Sequence, residues 1–550
     1  MAHARSGVMT GFHTIARYAA QLFAAIVCVV ALGACATNPP GADYPRAESF
    51  ALAHPEETHI GGQFAGMAAE HGGASGFRIL TVGVDGFLAR AEMIDAAERT
   101  LDLQYYIFRG DDTGRLLTDG LLRAADRGVR VRVLIDDGDT LSGDGQIIAL
   151  AAHPLVEVRI FNPFAYRGHS IFRRALEFVP NAGRLDFRMH NKLLVVDNAL
   201  ALVGGRNIGN QYFQVDPDSQ FADDDVFAAG PIARQLSATF DEYWNSPLSI
   251  PVEALGRQRE TDSPMAAQRE RSRWHPAALV EPAEAGGSDY VTRIATGEPY
   301  ASLISGQLSL VWASARVLCD SPNKKDVVAG VSGGRLMMAE VRKTIASTEG
   351  ELLMITPYFV PADAESEVLR DLRRRNVSVG IVTNSLESTR DLAAFSGYTK
   401  YRKALLEEGV SLYEVRAQPG SMRGSGQTAR MSSYGHYGLH GKLMVFDRKQ
   451  IFIGSMNFDQ RSKHLNTEVG LLIDSTELAA QTALRFEAMA QQQNSYALSL
   501  HPQDSGRAGR IVWRTERSGR LVEYAEEPAQ SEWRRLTSRL LSLVPMSGEL

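Results

Sequence analysis

One eight-residue pattern occurs twice, at matching places in the two halves of the chain. It constrains the possible fold more than any other feature. His190-Asn-Lys192-Leu-Leu-Val-Val-Asp197 lies 84 residues after Tyr106, and His440-Gly-Lys442-Leu-Met-Val-Phe-Asp447 lies 82 residues after Tyr358. Both read H-x-K-x4-D. Gly204, Gly205 and Asn207 follow the first copy, and Gly454, Ser455 and Asn457 follow the second at identical offsets. The lysines are telling, because the chain has 9 Lys against 49 Arg. An internal duplication sets the architecture and has to be read first.

The flanking segments repeat in the same order. In the first half, Asp85 to Arg99 reads as an amphipathic helix, Leu101 to Phe108 as a strand, Thr113 to Arg127 as a helix and Val129 to Ile135 as a strand. In the second, Leu336 to Thr348 and Ala364 to Arg375 read as helices, and Leu352 to Val360 and Val377 to Val382 as strands. Helices alternating with β runs predict an α/β layered unit, present twice. The Pro-rich, weakly periodic stretch from Pro247 to about Gly330 reads as the connection between units.

The motif has a chemical meaning. Lys-x4-Asp lies on an apolar β run, and strand alternation sends His and Lys, two residues apart, to one face. The Asn 17 residues after each His adds an amide donor. Doubled, the set is His190, Lys192, Asn207, His440, Lys442 and Asn457, a cationic, donor-rich pocket suited to a phosphodiester. Two His without clustered Cys or an acid triad do not make a zinc cage, so no metal and no other cofactor is expected.

Composition narrows the class. Formal net charge is −6 over 550 residues, which excludes a broadly basic nucleic-acid binder. Three cysteines, Cys28, Cys35 and Cys319, cannot form a disulfide framework. Arg5 and Arg17 precede an apolar run from Tyr18 to Leu32 that ends in Leu32-Gly33-Ala34-Cys35. That is the plan of a secretory signal, and its ending resembles a bacterial lipobox with Cys35 as the lipidated residue. No later segment is apolar for 18 residues. The expected product is a lipoprotein anchored in the bacterial cell envelope, with a formal charge of −8 once the leader and its two arginines are gone.

With both motifs intact, the chain resembles the phospholipase D superfamily, and within it the bacterial cardiolipin synthases of the C type. The resemblance is carried by LDLQYYIFRGDDTGRLLTDGLLRAADRGVRVRVLIDD, FRMHNKLLVVDNALALVGGRNIGNQYF, LLMITPYFVP, SGYTKYRKALLEEGVSLYE and HGKLMVFDRKQIFIGSMNFDQRSKHLNTEVGLLID. It implies two tandem α/β/α sandwich units related by a pseudo-two-fold axis, with the active site at their interface. The expected division is a signal peptide over 1–34, a tether and N-terminal segment over 35–76, units over 77–246 and 331–497, a connection over 247–330 and a tail over 498–550. The resemblance implies a phosphatidyl transfer to phosphatidylglycerol, with phosphatidylethanolamine as donor, at a membrane surface. A phospholipase D hydrolase is the alternative, and a nuclease a more distant one. Nucleic acid is not an expected partner; an accessory protein is left open.

By the same resemblance, His190 is the nucleophile and forms a phosphohistidine, while His440 is the acid and base. Lys192, Lys442, Asn207 and Asn457 stabilise the phosphoryl oxygens. Asp197 and Asp447 complete the catalytic motif, though holding the strand-to-turn geometry suits them better. Each His needs an orienting carboxylate. Glu468 in Asn466-Thr-Glu-Val is one, and Asp225 in Asp223-Asp-Asp-Val is the other, with Asp224 as fallback.

Four further segments carry pattern. Asp136 and Asp137 end a strand and read as solvated turn acids or as a border of the pocket. Phe161 to Arg188 interleaves aromatics with arginines, suiting lipid headgroups or an ordinary packed segment. Ser531 to Val544 sets Trp533, Leu536, Leu540 and Leu543 on one side and arginines elsewhere, suiting an interfacial helix or one docked on its own domain. Gln418 to Tyr437, rich in Gly and Ser, reads as a lid or loop before His440.

Overall fold

The computed structural model describes residues 38–138, 150–168, 170–216, 219–255, 309–418, 436–501 and 509–543. The leader, Cys35, the charged stretch 256–308 and most of the expected lid lie outside the described residues.

Among the described residues, eighteen strands form one continuous ladder. In the first half, β1 (Ser75–Leu80), β2 (Thr100–Tyr105), β3 (Arg130–Asp136), β4 (Val156–Phe161), β5 (Leu193–Val196), β6 (Leu200–Gly204), β7 (Ser219–Ala222), β8 (Asp225–Ala229) and β9 (Ser249–Pro251) follow in sequence. The second half supplies β10 (Val311–Cys319), β11 (Glu351–Ile355), β12 (Ser378–Asn384), β13 (Ser411–Val415), β14 (His436–Leu439), β15 (Leu443–Phe446), β16 (Gln450–Gly454) and β17 (Val469–Asp474). The tail adds β18 (Ser495–His501), β19 (Arg510–Arg517) and β20 (Arg520–Tyr524).

The spatial order is 9-4-3-2-5-6-8-1-10-17-16-15-11-12-13-18-19-20. Its centre is the antiparallel pair β1–β10, where Gly76 faces Trp312. From there 1-8-6-5-2-3-4 on one side mirrors 10-17-16-15-11-12-13 on the other. In each half the outer three strands are parallel and the motif strand is antiparallel to its neighbours. This is the pseudo-two-fold α/β arrangement expected from the repeat. Among the described residues only β7 and β14 leave the ladder, pairing parallel with each other across the halves.

The stretch read as a connection needs correcting. It contains β10, which is to the second half what β1 is to the first, and Val311–Cys319 pairs along its length with β17. Its signal was faint because Arg316 and Ser314 interrupt the apolar run on a strand only half covered. The strand expected over Leu101 to Phe108 stops at Tyr105; Phe108 instead bridges to Ile208. The strand expected over Leu352 to Val360 stops at Ile355, ahead of Pro357. Proline cannot donate to a ladder.

Three apolar clusters hold the layers together. One lies outside each half of the sheet. The third is shared: Phe77, Phe240 and Trp244 of the first half pack in one continuous cluster with Leu353, Val382 and Phe486 of the second. The helices Pro231–Trp244 and Thr476–Ala490 occupy this middle layer. The two halves therefore bury apolar surface against each other.

Asp197 and Asp447 act in this framework and do not reach the other motif residues. Both sit at positive φ in the turns after β5 and β15. Asp197 accepts from the backbone N–H of Glu98 (2.9 Å), Arg99 (2.8 Å) and Thr100 (2.7 Å), where β2 begins. Asp447 accepts likewise from Gly350 (2.6 Å) and Glu351 (3.0 Å) at the start of β11. Their assignment to the catalytic set is thus corrected to a backbone clamp. Asp197→Ala would strand these donors, each costing about 1–3 kcal/mol when buried. We expect a loss of about 2–4 kcal/mol in denaturant unfolding, with Asn recovering part of it; an unchanged midpoint in the Ala variant would contradict the clamp.

Candidate functional site

Each motif histidine is delivered by the same devices. The backbone N–H of His190 donates to Thr467 O (2.9 Å), and that of His440 to Ala222 O (2.7 Å). Each histidine is thus hung on the segment of the opposite half that carries a carboxylate. The residue before it is pinned too. Met189 N–H donates to Asp136 at the end of β3 (2.8 Å), and Leu439 N–H to Asn384 at the end of β12 (2.9 Å).

The imidazole–carboxylate pairs cross between halves. His190 Nδ1 lies 2.9 Å from Glu468 Oε2, and His440 Nδ1 lies 2.5 Å from Asp223 Oδ2. Both rings are almost enclosed, with side chains 9% exposed, and both carboxylates are fully buried. Holding Nδ1 in this way leaves Nε2 as the ring atom available to a reacting group.

Asp225 is not an orienting residue. Its carboxylate accepts from Arg90 Nη1 (2.9 Å) and Arg206 Nη1 (3.1 Å). Asp224 is not one either; it pairs with Arg485 at 2.7 Å. Sheet register explains the displacement. Gly204 faces Asp225 and Gly454 faces Gly470, so the counterpart of Glu468 is the residue two before Asp225. The longer loop before Asp223 hides this in the sequence. Two glycines keep the space open: a Cβ on Gly205 would lie 2.1 Å from Asp223 Oδ1, and one on Gly441 would lie 2.3 Å from Asp224 Oδ2.

The lysines fold back onto their own motifs. Lys192 Nζ donates to His190 O (2.5 Å), and Lys442 Nζ donates to His440 O and lies 3.0 Å from His440 Nδ1. Each ammonium has three protons, so capacity remains toward a ligand. Asn207 is partly committed: it accepts from Ile107 N–H (3.2 Å) and donates to Tyr212 Oη (3.0 Å). Asn457 is buried, and its Oδ1 has no hydrogen-bond partner among the described residues.

Several neighbours were not singled out from sequence. Tyr106 stands edge-on to His190 at 5.0 Å between centroids, and Tyr212 edge-on to His440 at 5.3 Å. Phe221 lies 5.0 Å from His440. Ser455 and Ser462 donate to Glu468, the latter at 2.8 Å. Repetition signals Tyr106, matched by Tyr358, and Ser455, at the offset of Gly205; the others come from loops that differ between the halves. Asp136 and Asp137 are fully buried, the first on Met189 and the second on Phe164 N–H (2.6 Å) and Arg174 (3.0 Å). Their reading as solvated turn acids is therefore corrected.

The site is electrostatically one unit. Burial pulls His190 well below its ordinary value, and Lys192 and Lys442 add to the effect. Burial brings His440 to about 3, with Lys442 adding and Asp223 opposing. Burial also lowers Lys192 strongly and takes Lys442 to about 8, despite the nearby carboxylates. Burial pushes Glu468 up to about 7 against Lys192 and the serine hydroxyls. For Asp223, burial pushes upward but His440 and Lys442 outweigh it, keeping the carboxyl below its ordinary range. These shifts keep both imidazoles neutral beside an ionised Asp223, and a ligand anion would help recharge them.

Fold and constellation together define a phospholipase D-type protein. The family described as cardiolipin synthase, phospholipase D-like domain, matches residues 91–244 and 341–490. Cardiolipin synthase C of Escherichia coli (strain K12) is 36% identical over 87% of this chain and 97% of its own length. An uncharacterized Helicobacter pylori protein is 29% identical over 89% of this chain and 93% of its own. Among solved structures, phosphatidylserine synthase of Haemophilus influenzae Rd KW20 shares the fold, with a TM-score of 0.50 at 15% identity over 79% of this chain and 92% of that one. The chain belongs to the cardiolipin synthase family of phospholipase D-like proteins and is an enzyme of that type.

Glu468 offers a stability test. It ionises near 7 in the fold against an ordinary 4.5, so the native state keeps a proton that the unfolded chain releases between those values. The resulting stabilisation is complete below 4.5 and is lost as pH rises to 7. Glu468→Gln removes that dependence. From pH 4.5 to 7 the wild type should lose up to about 3 kcal/mol relative to the variant in unfolding experiments. Parallel pH dependences would contradict the assignment.

Proposed function

We propose that this enzyme is a phosphatidyltransferase that makes cardiolipin, passing a phosphatidyl group to the glycerol head of phosphatidylglycerol. The observation that carries this reading is the crossed pair of buried imidazole–carboxylate dyads, one histidine from each half, within a family of cardiolipin synthases. Phosphatidylethanolamine is the proposed donor, in keeping with the C-type resemblance.

The two dyads suit different tasks. His190 is neutral, its Nδ1 held by Glu468, so its Nε2 lone pair can attack phosphorus. His440 sits on a carboxylate that stays ionised, so it can accommodate a proton once a phosphodiester anion offsets the lysines. In the first step the His190 Nε2–P bond forms and the donor's P–O bond breaks, with His440 protonating the departing alcohol. In the second, His440 takes the proton of the acceptor hydroxyl, its oxygen bonds phosphorus, and the N–P bond breaks. Lys192 and Lys442, with amide help from Asn457 and Asn207, face the charge on the non-bridging oxygens. Asn207 also holds Tyr212 against His440.

The finer location follows the same reading. Cys35 is proposed as the acylated anchor of an envelope lipoprotein, and Cys35→Ser should release the protein from membranes on fractionation.

Purified enzyme with labelled phosphatidylglycerol, with and without phosphatidylethanolamine, tests the function. Cardiolipin is the expected product; phosphatidic acid alone would mean hydrolysis. His190→Ala and His440→Ala should each lower turnover by at least about a thousandfold, and full activity in either would sink the two-histidine mechanism. A phosphohistidine trapped in the His440→Ala protein would assign the nucleophile. Expected kcat/KM rises as Glu468 ionises near pH 7 and falls as Lys442 loses its proton near 8. Glu468→Gln should flatten the acid limb.

A further inference from the structure

Two surface helices are built inside out. The helix Ile171–Leu185, broken at Asn181, is held to the body by its polar side. Arg174 reaches Asp137 (3.0 Å) and stacks over Phe164, and Glu177 accepts from the backbone of Ala165 (2.6 Å) and Tyr166 (2.8 Å). Ile171, Phe172, Leu176 and Val179 face outward, with Phe172 72% exposed. The helix Glu532–Ser542 repeats the plan. Its one buried residue is Ser538, against Ser396, and Arg534 donates to Leu386 O (2.7 Å). Trp533, Leu536, Leu540 and Leu543 are exposed, Trp533 at 73%. A water-facing amphipathic helix buries its apolar face; these two display it.

Both helices stand beside the cleft. The first docks on the loops leaving β3 and β4, and its last residues lead directly to His190. Asp136, at the end of β3, pins Met189. The second docks on the loop leaving β12, whose Asn384 pins Leu439 beside His440. From that loop Arg390 covers Phe221 at 4.8 Å, and Phe221 in turn covers His440. One helix therefore flanks each histidine. Each carries three Arg and one Glu, a local charge of +2 on a chain whose net charge is −6.

We propose that these two helices are a paired membrane-docking surface, laying their apolar faces into an anionic bilayer so that the cleft opens onto its phospholipid substrates. The occupant follows from chemistry: an apolar stripe rimmed by arginine matches acyl chains beneath anionic headgroups. The inference rests on the phospholipid reading above and adds to it the elements that present the site to the bilayer. It also resolves the tail helix, which is docked on its own domain and interfacial at once.

The test uses the full chain carrying His190→Ala, so that lipid is not consumed, with vesicles of phosphatidylglycerol and brominated phosphatidylcholine. Trp533 fluorescence should be quenched, and Trp533→Phe should remove the quenched component; Phe172→Trp should add a second one. In active enzyme, Phe172→Ser with Leu176→Ser, or Trp533→Ser with Leu540→Ser, should slow turnover on vesicles at least about tenfold. Rates on dispersed short-chain phospholipid should stay within about twofold. Unquenched Trp533, or unchanged rates on vesicles, would overturn the proposal. So would a dimer dissociated by Leu540→Ser, which would place a second copy on this face. Failure of the phospholipid reading looks different: no turnover on either lipid form, with the quenching result standing by itself.

Discussion

Two hydrogen-bonded imidazole–carboxyl contacts that cross the molecular two-fold organise this protein. Glu468 belongs to the second half and holds the first half's His190; Asp223 belongs to the first and holds His440. Neither half contains a complete dyad. The surrounding structure enforces the exchange: β7 pairs with β14, Met189 bridges to Thr467, and the middle apolar layer is common to both halves. Moving the halves apart would expose that layer and strip both imidazoles of their partners at once.

Enclosure gives the cleft its character. Two imidazoles, two ammonium groups and two carboxylates share a space almost closed to water, so each charge is felt by the rest. Desolvation is the first cause of nearly every shift, and the lysines hold both rings neutral until an anion arrives. A phosphodiester would supply the missing negative charge. In the proposed mechanism, substrate binding would thereby favour protonation of His440.

The two-fold is approximate, and its departures are chemical. Ser455 and Ser462 donate to Glu468, whereas Gly205 makes room for the shorter Asp223. Arg206, which supports Asp223 by donating to its backbone carbonyl, has Met456 as its counterpart. Burial drives the Glu468 carboxyl up despite its serine donors, whereas His440 and Lys442, helped by Arg206, hold Asp223 down against burial. A duplicated scaffold can in this way give its two histidines carboxyl partners of different proton affinity.

Much of this was readable from the chain. The duplicated motif, the strand–helix order around it and the lysine scarcity define an α/β repeat and name the histidines and lysines, because local periodicity and residue chemistry are properties of short segments. Glu468 was also visible, through the family resemblance carried by Asn466-Thr-Glu-Val. Other matters were not. Asp223 could not be told from Asp224 and Asp225, since all three are adjacent carboxylates and only the pairing of Gly204 with Asp225 sets the register. Strand β10 was hidden because Ser314 and Arg316 interrupt its apolar run on a strand only partly buried. The outward turn of two apolar helix faces was equally beyond local pattern, which gives a helix its stripe but not the direction the stripe faces. Sequence by itself determined which groups the enzyme possesses. Tertiary structure decided which carboxylate each imidazole meets and which surfaces stay bare, because those depend on contacts between residues hundreds of positions apart.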